Sequence, residues 1–183
     1  MKSLALKISM AVLSMIPLVA KAELIVLASP QSNDAYYAKM IDDIFDFHVD
    51  YAKKIIKNGD NVVVLTDKGL YPDYVKALGK KHVAIAPMHD IWMRDFTSAN
   101  PAQPVMFRYT AAGQGGAKKG QAISDEVQDE FKYYSQKAGL QFSQSKLLND
   151  GGNWVEDGYG NVVLSTKFLA DNKLTESEAR KKL

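Results

Sequence analysis

Two kinds of hydrophobic pattern alternate along this chain, and that alternation constrains its fold more than any other feature. Glu23–Ser29 (ELIVLAS) and Asn61–Leu65 (NVVVL) are nearly unbroken apolar runs of strand length, the first ended by Pro30. Between them Met40, Ile41, Ile44, Phe45, Phe47, His48, Tyr51, Ile55 and Ile56 recur at helical spacing. Asn33 or Asp34 is placed to cap this segment, and Asn58-Gly59-Asp60 to stop it. A short helix over Pro72–Leu78, with Gly79 beyond it, leads to strand His82–Ala86. Such apolar strands, spaced by helices, imply parallel pairing with the helices packed on the sheet. The chain is therefore read as α/β.

The theme repeats further on. Strand Val105–Tyr109 is followed by a Gly/Lys-rich loop and helix Ser124–Ala138, with Val127, Phe131, Tyr134 and Ala138 on one face and Ser124 as a weak cap. Gln141–Leu148 leads to Asp150-Gly151-Gly152-Asn153, and Trp154–Glu156 and Asn161–Ser165 flank Asp157-Gly158-Tyr159-Gly160, a hairpin signal. Thr175-Glu176-Ser177-Glu178 is a capping box, so a helix starts there. It reaches Leu183 after about two turns, which sets the expectation that the chain given is cut short.

The amino terminus reads as a secretory leader. Lys2 and Lys7 precede the apolar run Ile8–Val19 and then Ala20-Lys21-Ala22, a charged start, a core too short to span a bilayer and a small-residue cleavage site. Cleavage between Ala22 and Glu23 divides residues 1–22 from a single domain over 23–183, and predicts a periplasmic or extracellular product. It also removes three lysines and no acid, so the formal +2 of the full chain becomes −1. That balance gives no reason to expect a nucleic-acid or anionic-membrane partner. No second apolar run is long enough to cross a membrane, and no pattern speaks to oligomeric state. The sequence holds no cysteine, which excludes disulfides and any thiol nucleophile of its own.

Two segments carry most of the chemistry. His89-Asp90-Ile91-Trp92-Met93-Arg94-Asp95 lies just beyond a buried strand, where α/β sheets place ligands. A carboxylate beside an indole suits a planar cation, since the acid accepts paired N–H donors while the ring packs against the flat face. The plain alternative has Arg94 paired with a carboxylate and Trp92 filling the core. In Asp150-Gly151-Gly152-Asn153 the glycines permit close backbone approach, with Asp150 and Asn153 free to point at a ligand; the alternative is an ordinary turn. Gly113-Gln114-Gly115-Gly116, backed by Lys118 and Lys119, lacks the spacing of a phosphate loop and is read as a flexible loop over the site. His48, His82 and His89 form no metal-binding pattern.

As a pair, Trp92-Met93-Arg94-Asp95 and Asp150-Gly151-Gly152-Asn153, the latter running into Asp157-Gly158-Tyr159-Gly160-Asn161, resemble the agmatine deiminase and bacterial peptidylarginine deiminase family. The resemblance runs from Leu24 to the end and matches the family's N-terminal half. It implies a pentein fold, a β/α propeller of which about two of five modules are present, with mixed sheets and helices packed outside. It implies hydrolysis of a guanidinium to a ureido group and ammonia, through attack by a cysteine thiolate and a thiouronium intermediate. The substrate would be a small guanidino compound such as agmatine, or the arginine side chain of a peptide, with no metal or organic cofactor. Asp95 matches the family's first substrate carboxylate, Trp92 the aromatic beside it, and Asp150 the acid that orients the catalytic histidine. Asp150 stands where relatives often have Glu. The family's G-H-x-D segment and catalytic cysteine have no counterpart in these residues, so the chain alone is expected to be inactive. Ala111-Ala112-Gly113-Gln114-Gly115-Gly116 stands where peptidylarginine deiminases carry paired arginines for a terminal carboxylate. Two other readings remain: a non-catalytic guanidinium- or peptide-binding periplasmic module, and an unrelated α/β protein in which W-M-R-D is only core and ion pair.

Overall fold

The computed structural model describes residues 22–98, 104–111, 120–157 and 159–183. Residues 1–21, nearly all of the expected leader, lie outside the described residues, as do Gly113–Gly116 with Lys118 and Lys119, and Gly158. Strands β1 (Leu24–Ala28), β2 (Asn61–Thr66) and β3 (Val83–Ile85) form a parallel sheet in that order, with Ile25 opposite Val62 and Leu27 opposite Val64. Helices α1 (Ile41–Lys57) and α2 (Tyr71–Leu78) make the two crossovers. They cover the face that carries Val62 and Val64, burying Ala52, Ile55, Tyr74 and Val83 against it. Full burial of each such aliphatic side chain contributes about 1.5–3 kcal/mol, so this face anchors the first lobe. Gly59, at φ +94°, takes the left-handed turn that lets the chain leave α1 directly for β2.

The second lobe repeats the crossover. Strand β4 (Val105–Tyr109) pairs in parallel with β5 (Ser143–Asn149), and α4 (Gln121–Lys137) connects them. The single turn α3 (Met93–Phe96) sits between the lobes, with Phe96 fully buried among Met88, Met106, Tyr109, Val127 and Phe131. Strands β6 (Trp154–Glu156) and β7 (Val162–Leu164) make the expected antiparallel hairpin. Helices α5 (Thr166–Asn172) and α6 (Glu176–Lys182) close the chain, and Phe168 and Ala179 pack on Phe107. The Thr175–Glu178 capping box is formed in both directions. The molecule is thus a mixed α/β structure whose sheets, among the described residues, close into no barrel. On the side of the first sheet away from its helices, Leu24, Val26 and Ile85 stay exposed along an apolar groove of about 850 Å³ shared with Tyr134 and Leu140.

Three boundaries differ from the sequence reading. α1 begins after Met40, because Asp34 Oδ1 accepts from the amides of Tyr36 (2.8 Å) and Tyr37 (3.4 Å) and closes a local turn instead of capping the helix. α4 begins at Gln121, before Ser124; the buried Ser124 hydroxyl donates to the Gly120 carbonyl (3.1 Å) and accepts from the Ala111 amide (3.0 Å). His82 belongs to a 3-10 turn, Lys80–His82, where Nδ1 lies 3.0 Å from the Val62 carbonyl oxygen.

Candidate active site

The loop after β3 and the turn after β5 meet in front of α3. Phe96 locks the far end of α3 into the core, which leaves Asp95 half-buried and Trp92 exposed at the near end. The opposite wall is the 3-10 turn Gly151–Asn153, capped by Asp150, whose Oδ1 accepts from the Gly152 amide at 2.8 Å. Residues from four segments line the resulting cleft of about 730 Å³: Asp34 and Tyr37; His89, Asp90, Trp92 and Asp95; Tyr109; and Asp150. No lysine or arginine lines it among the described residues.

Its electrostatics are dominated by acids. Burial, the Asp150 charge and the Asp90 charge push the Asp95 carboxyl up to about 6, while the Gly152 amide and the Arg94 guanidinium pull the other way. The Asp90 carboxylate is held in place, accepting from the Tyr37 hydroxyl at 3.0 Å and from the Ile91 amide at 2.7 Å. Burial and Asp90 raise Tyr37; burial and then Asp95, Asp150 and Asp90 raise Tyr109. Both phenols therefore keep their protons, and that of Tyr37 is donated to Asp90.

The four residues singled out from sequence do not all meet. Trp92, Asp95 and Asp150 share the cleft. Asn153 is not among its lining residues: its Nδ2 donates to Asn149 Oδ1 at 3.2 Å and its Oδ1 accepts from the Ser165 amide at 2.9 Å, which ties β5 to the start of α5. The reading of W-M-R-D as core and ion pair does not hold. Trp92 is 62% exposed, and Arg94 Nη2 donates to the Trp154 carbonyl at 2.8 Å. Asp34, Tyr37 and Tyr109 are cleft residues that motif spacing did not reveal. Asp34 looked like a helix cap and Tyr109 like the end of a strand. His89 sits at the rim, with Nε2 3.7 Å from both Glu126 and Glu130. No group of three or more metal-ligating side chains occurs among the described residues.

Solved structures with a similar arrangement of elements include agmatine deiminases. The C. jejuni agmatine deiminase superposes with a TM-score of 0.65 at 17% identity, covering 88% of this chain and 49% of the other. A substrate-bound structure of a variant of that enzyme gives 0.62 at 16% identity, over 88% and 49%. The agmatine deiminase of Enterococcus faecalis gives 0.58 at 16% identity, over 88% and 47%. The fold is thus that of the agmatine deiminases, and the chain spans about half the length of these structures. The profile of the Porphyromonas-type peptidyl-arginine deiminases matches residues 14–183, and the chain belongs to that family. No curated protein matches it significantly by sequence.

Proposed function

We propose that this chain carries the guanidinium-holding cleft of a secreted guanidine deiminase, with agmatine or a peptidyl-arginine side chain as ligand. The observation that carries the reading is the set of four aspartates, Asp34, Asp90, Asp95 and Asp150, lining one cleft beside an exposed indole and two protonated phenols. Asp95 accepts paired N–H bonds from the guanidinium, and Trp92 covers its flat face. Asp150 serves either as a second anchor or as the support for a histidine. Asn153 holds the wall behind them. In the full reaction a thiolate attacks the guanidinium carbon, ammonia leaves and water releases the ureido product. These 183 residues contain no cysteine, so the isolated chain binds and does not hydrolyse. The two crossover lobes correspond to about two of the five modules of a pentein propeller, and the first 22 residues to a leader cut after Ala22.

The absence of any thiol equally favours a second reading, a binding module without catalysis, which shares the same first step. Calorimetric titration of the purified chain with agmatine tests that step. Micromolar binding that disappears in Asp95→Asn is expected, with no ammonia released. Binding that survives this substitution would overturn the site assignment, and turnover by the purified chain would overturn its inactivity.

A further inference from the structure

Gln128 lies in the middle of α4, outside the cleft, and is 1% exposed. An amide buried this deeply is costly unless its donors and acceptor are used. Here Nε2 donates to the carbonyl oxygens of Phe107 (2.7 Å) and Phe96 (3.2 Å), and Oε1 accepts from the Tyr109 amide (3.1 Å). Bonding the carbonyl of one strand residue and the N–H of the residue two further on is what a neighbouring strand does. The Thr110 amide turns the other way, to the Asn149 carbonyl of β5, so Gln128 stands in for a neighbouring strand on the edge of β4 away from β5. The remaining bond reaches Phe96, the residue after Asp95.

We propose that Gln128 is a positioning residue for the acidic cleft, setting the spacing between the Asp95 carboxylate on α3 and the Tyr109 phenol on β4. The inference rests on reading the cleft as a guanidinium site. An apolar side chain would fill the same space beside Val127 and Phe131. The amide instead directs its three bonds at the two backbone segments that carry cleft residues. Two turns earlier, Gln121 Nε2 donates to the Tyr109 carbonyl at 2.7 Å, so α4 holds the Tyr109 backbone at both its N–H and its C=O. A cleft that binds a planar cation by paired bonds depends on such spacing, because displacements on the order of 1 Å at a positioned group cost large factors.

Gln128→Met in the full chain tests this by three measurements: thermal unfolding, the ligand-free titration of Asp95 followed by carboxyl ¹³C NMR, and agmatine calorimetry. The variant is expected to unfold cooperatively. Its Asp95 midpoint should fall by about one pH unit as α3 parts from β4 and water enters, and its agmatine affinity should drop about tenfold. A lowered melting temperature with the Asp95 midpoint unmoved would overturn the proposal, leaving a purely structural role. Should wild type bind no agmatine, the guanidinium reading fails, while the ligand-free titration still decides what Gln128 does. If Gln128→Met does not fold, the isosteric Gln128→Glu is read for the same quantities; unfolding of both also overturns the positioning role.

Discussion

Gly151 lies so close to α3 that a methyl group on its Cα would sit 1.9 Å from the carbonyl oxygen of Arg94. Two segments far apart in sequence thereby press backbone on backbone, and that contact brings Asp150 to Asp95. Glycine is required here by close approach. Gly151→Ala must drive the 3-10 turn away from α3, and overpacking of this kind costs about 1–3 kcal/mol. A lower melting temperature together with lost agmatine binding is expected. At Gly152 an added Cβ would meet Asp150 Oδ1 at 3.0 Å and Asp95 Oδ1 at 3.1 Å, contacts with side-chain atoms that have some room to yield. Gly152→Ala should therefore melt closer to wild type while still weakening binding. Equal melting temperatures for wild type and Gly151→Ala would contradict the close approach.

Asp95 should make the ligand-free protein less stable as pH rises. Its carboxyl lies at about 6 in the fold against an ordinary 3.8, so between those values the folded chain holds a proton that the unfolded chain has released. Stability from this group is greatest below 3.8 and declines until about 6. The loss is about 1–2 kcal/mol once solvent screening at a half-buried site is allowed for. Asp95→Asn should therefore stabilise the free fold at pH 7 while abolishing cation binding. In wild type, binding should strengthen as pH rises through about 6, because the anionic carboxylate is the acceptor. Urea melts at pH 4 and 7, beside calorimetry at the same values, separate the two effects; a variant less stable than wild type at pH 7 would refute the argument.

His48 works in the same window with the opposite sign. It is buried in α1 with Nδ1 3.1 Å from the Tyr74 hydroxyl, and burial lowers it from 6.5 to about 4. The unfolded chain takes up this proton first, so the contribution is complete above 6.5 and is lost as pH falls towards 4, about 2–3 kcal/mol in all. Between pH 4 and 6 the two groups offset each other. His48→Gln, which keeps a polar partner for Tyr74 and cannot titrate, should leave the Asp95 trend uncovered, with stability rising on acidification from pH 6 to 4. Denaturant midpoints measured across that range check it, and a steeper acid loss in the variant would show that His48 is not held neutral.

The sequence was most legible where one residue type admits one local structure. Val62 and Val64 lie in a β-branched run that reads as a buried strand, and the strand pairs in parallel with β1 as expected. Asp157 closes the hairpin by accepting from the Tyr159 amide, and the capping box formed as read. Side chains with several possible partners were not legible. Asp34 was equally fit to cap a helix or to close a turn, and a competing bond two residues away decided it. Asn153 carries the same amide whether it faces a ligand or the Ser165 backbone. Tyr109 and Asp34 joined the cleft only because the crossovers bring β4 and the β1 loop to one side of α3, a relation no local spacing encodes.

The lower core offers a check on whether α5 and α6 support the cleft or merely follow it. Phe168 is fully buried and meets Phe107 edge-on, with ring centroids 6.2 Å apart, and Phe107 stacks at a tilt on Trp154, at 5.2 Å. The Trp154 carbonyl is the acceptor for Arg94, and the Phe107 carbonyl is an acceptor for Gln128. Removing the Phe168 ring should therefore act twice. Phe168→Ala opens a cavity that costs about 3–5 kcal/mol, and it loosens the strand and the carbonyl to which α3 is tied. Phe168→Leu refills most of the volume and should recover most of the stability. Chemical denaturation gives the first quantity and agmatine titration under folding conditions the second. A loss below about 1 kcal/mol for Phe168→Ala, far under the range for such cavities, would mean that α5 and α6 do not share a core with β4.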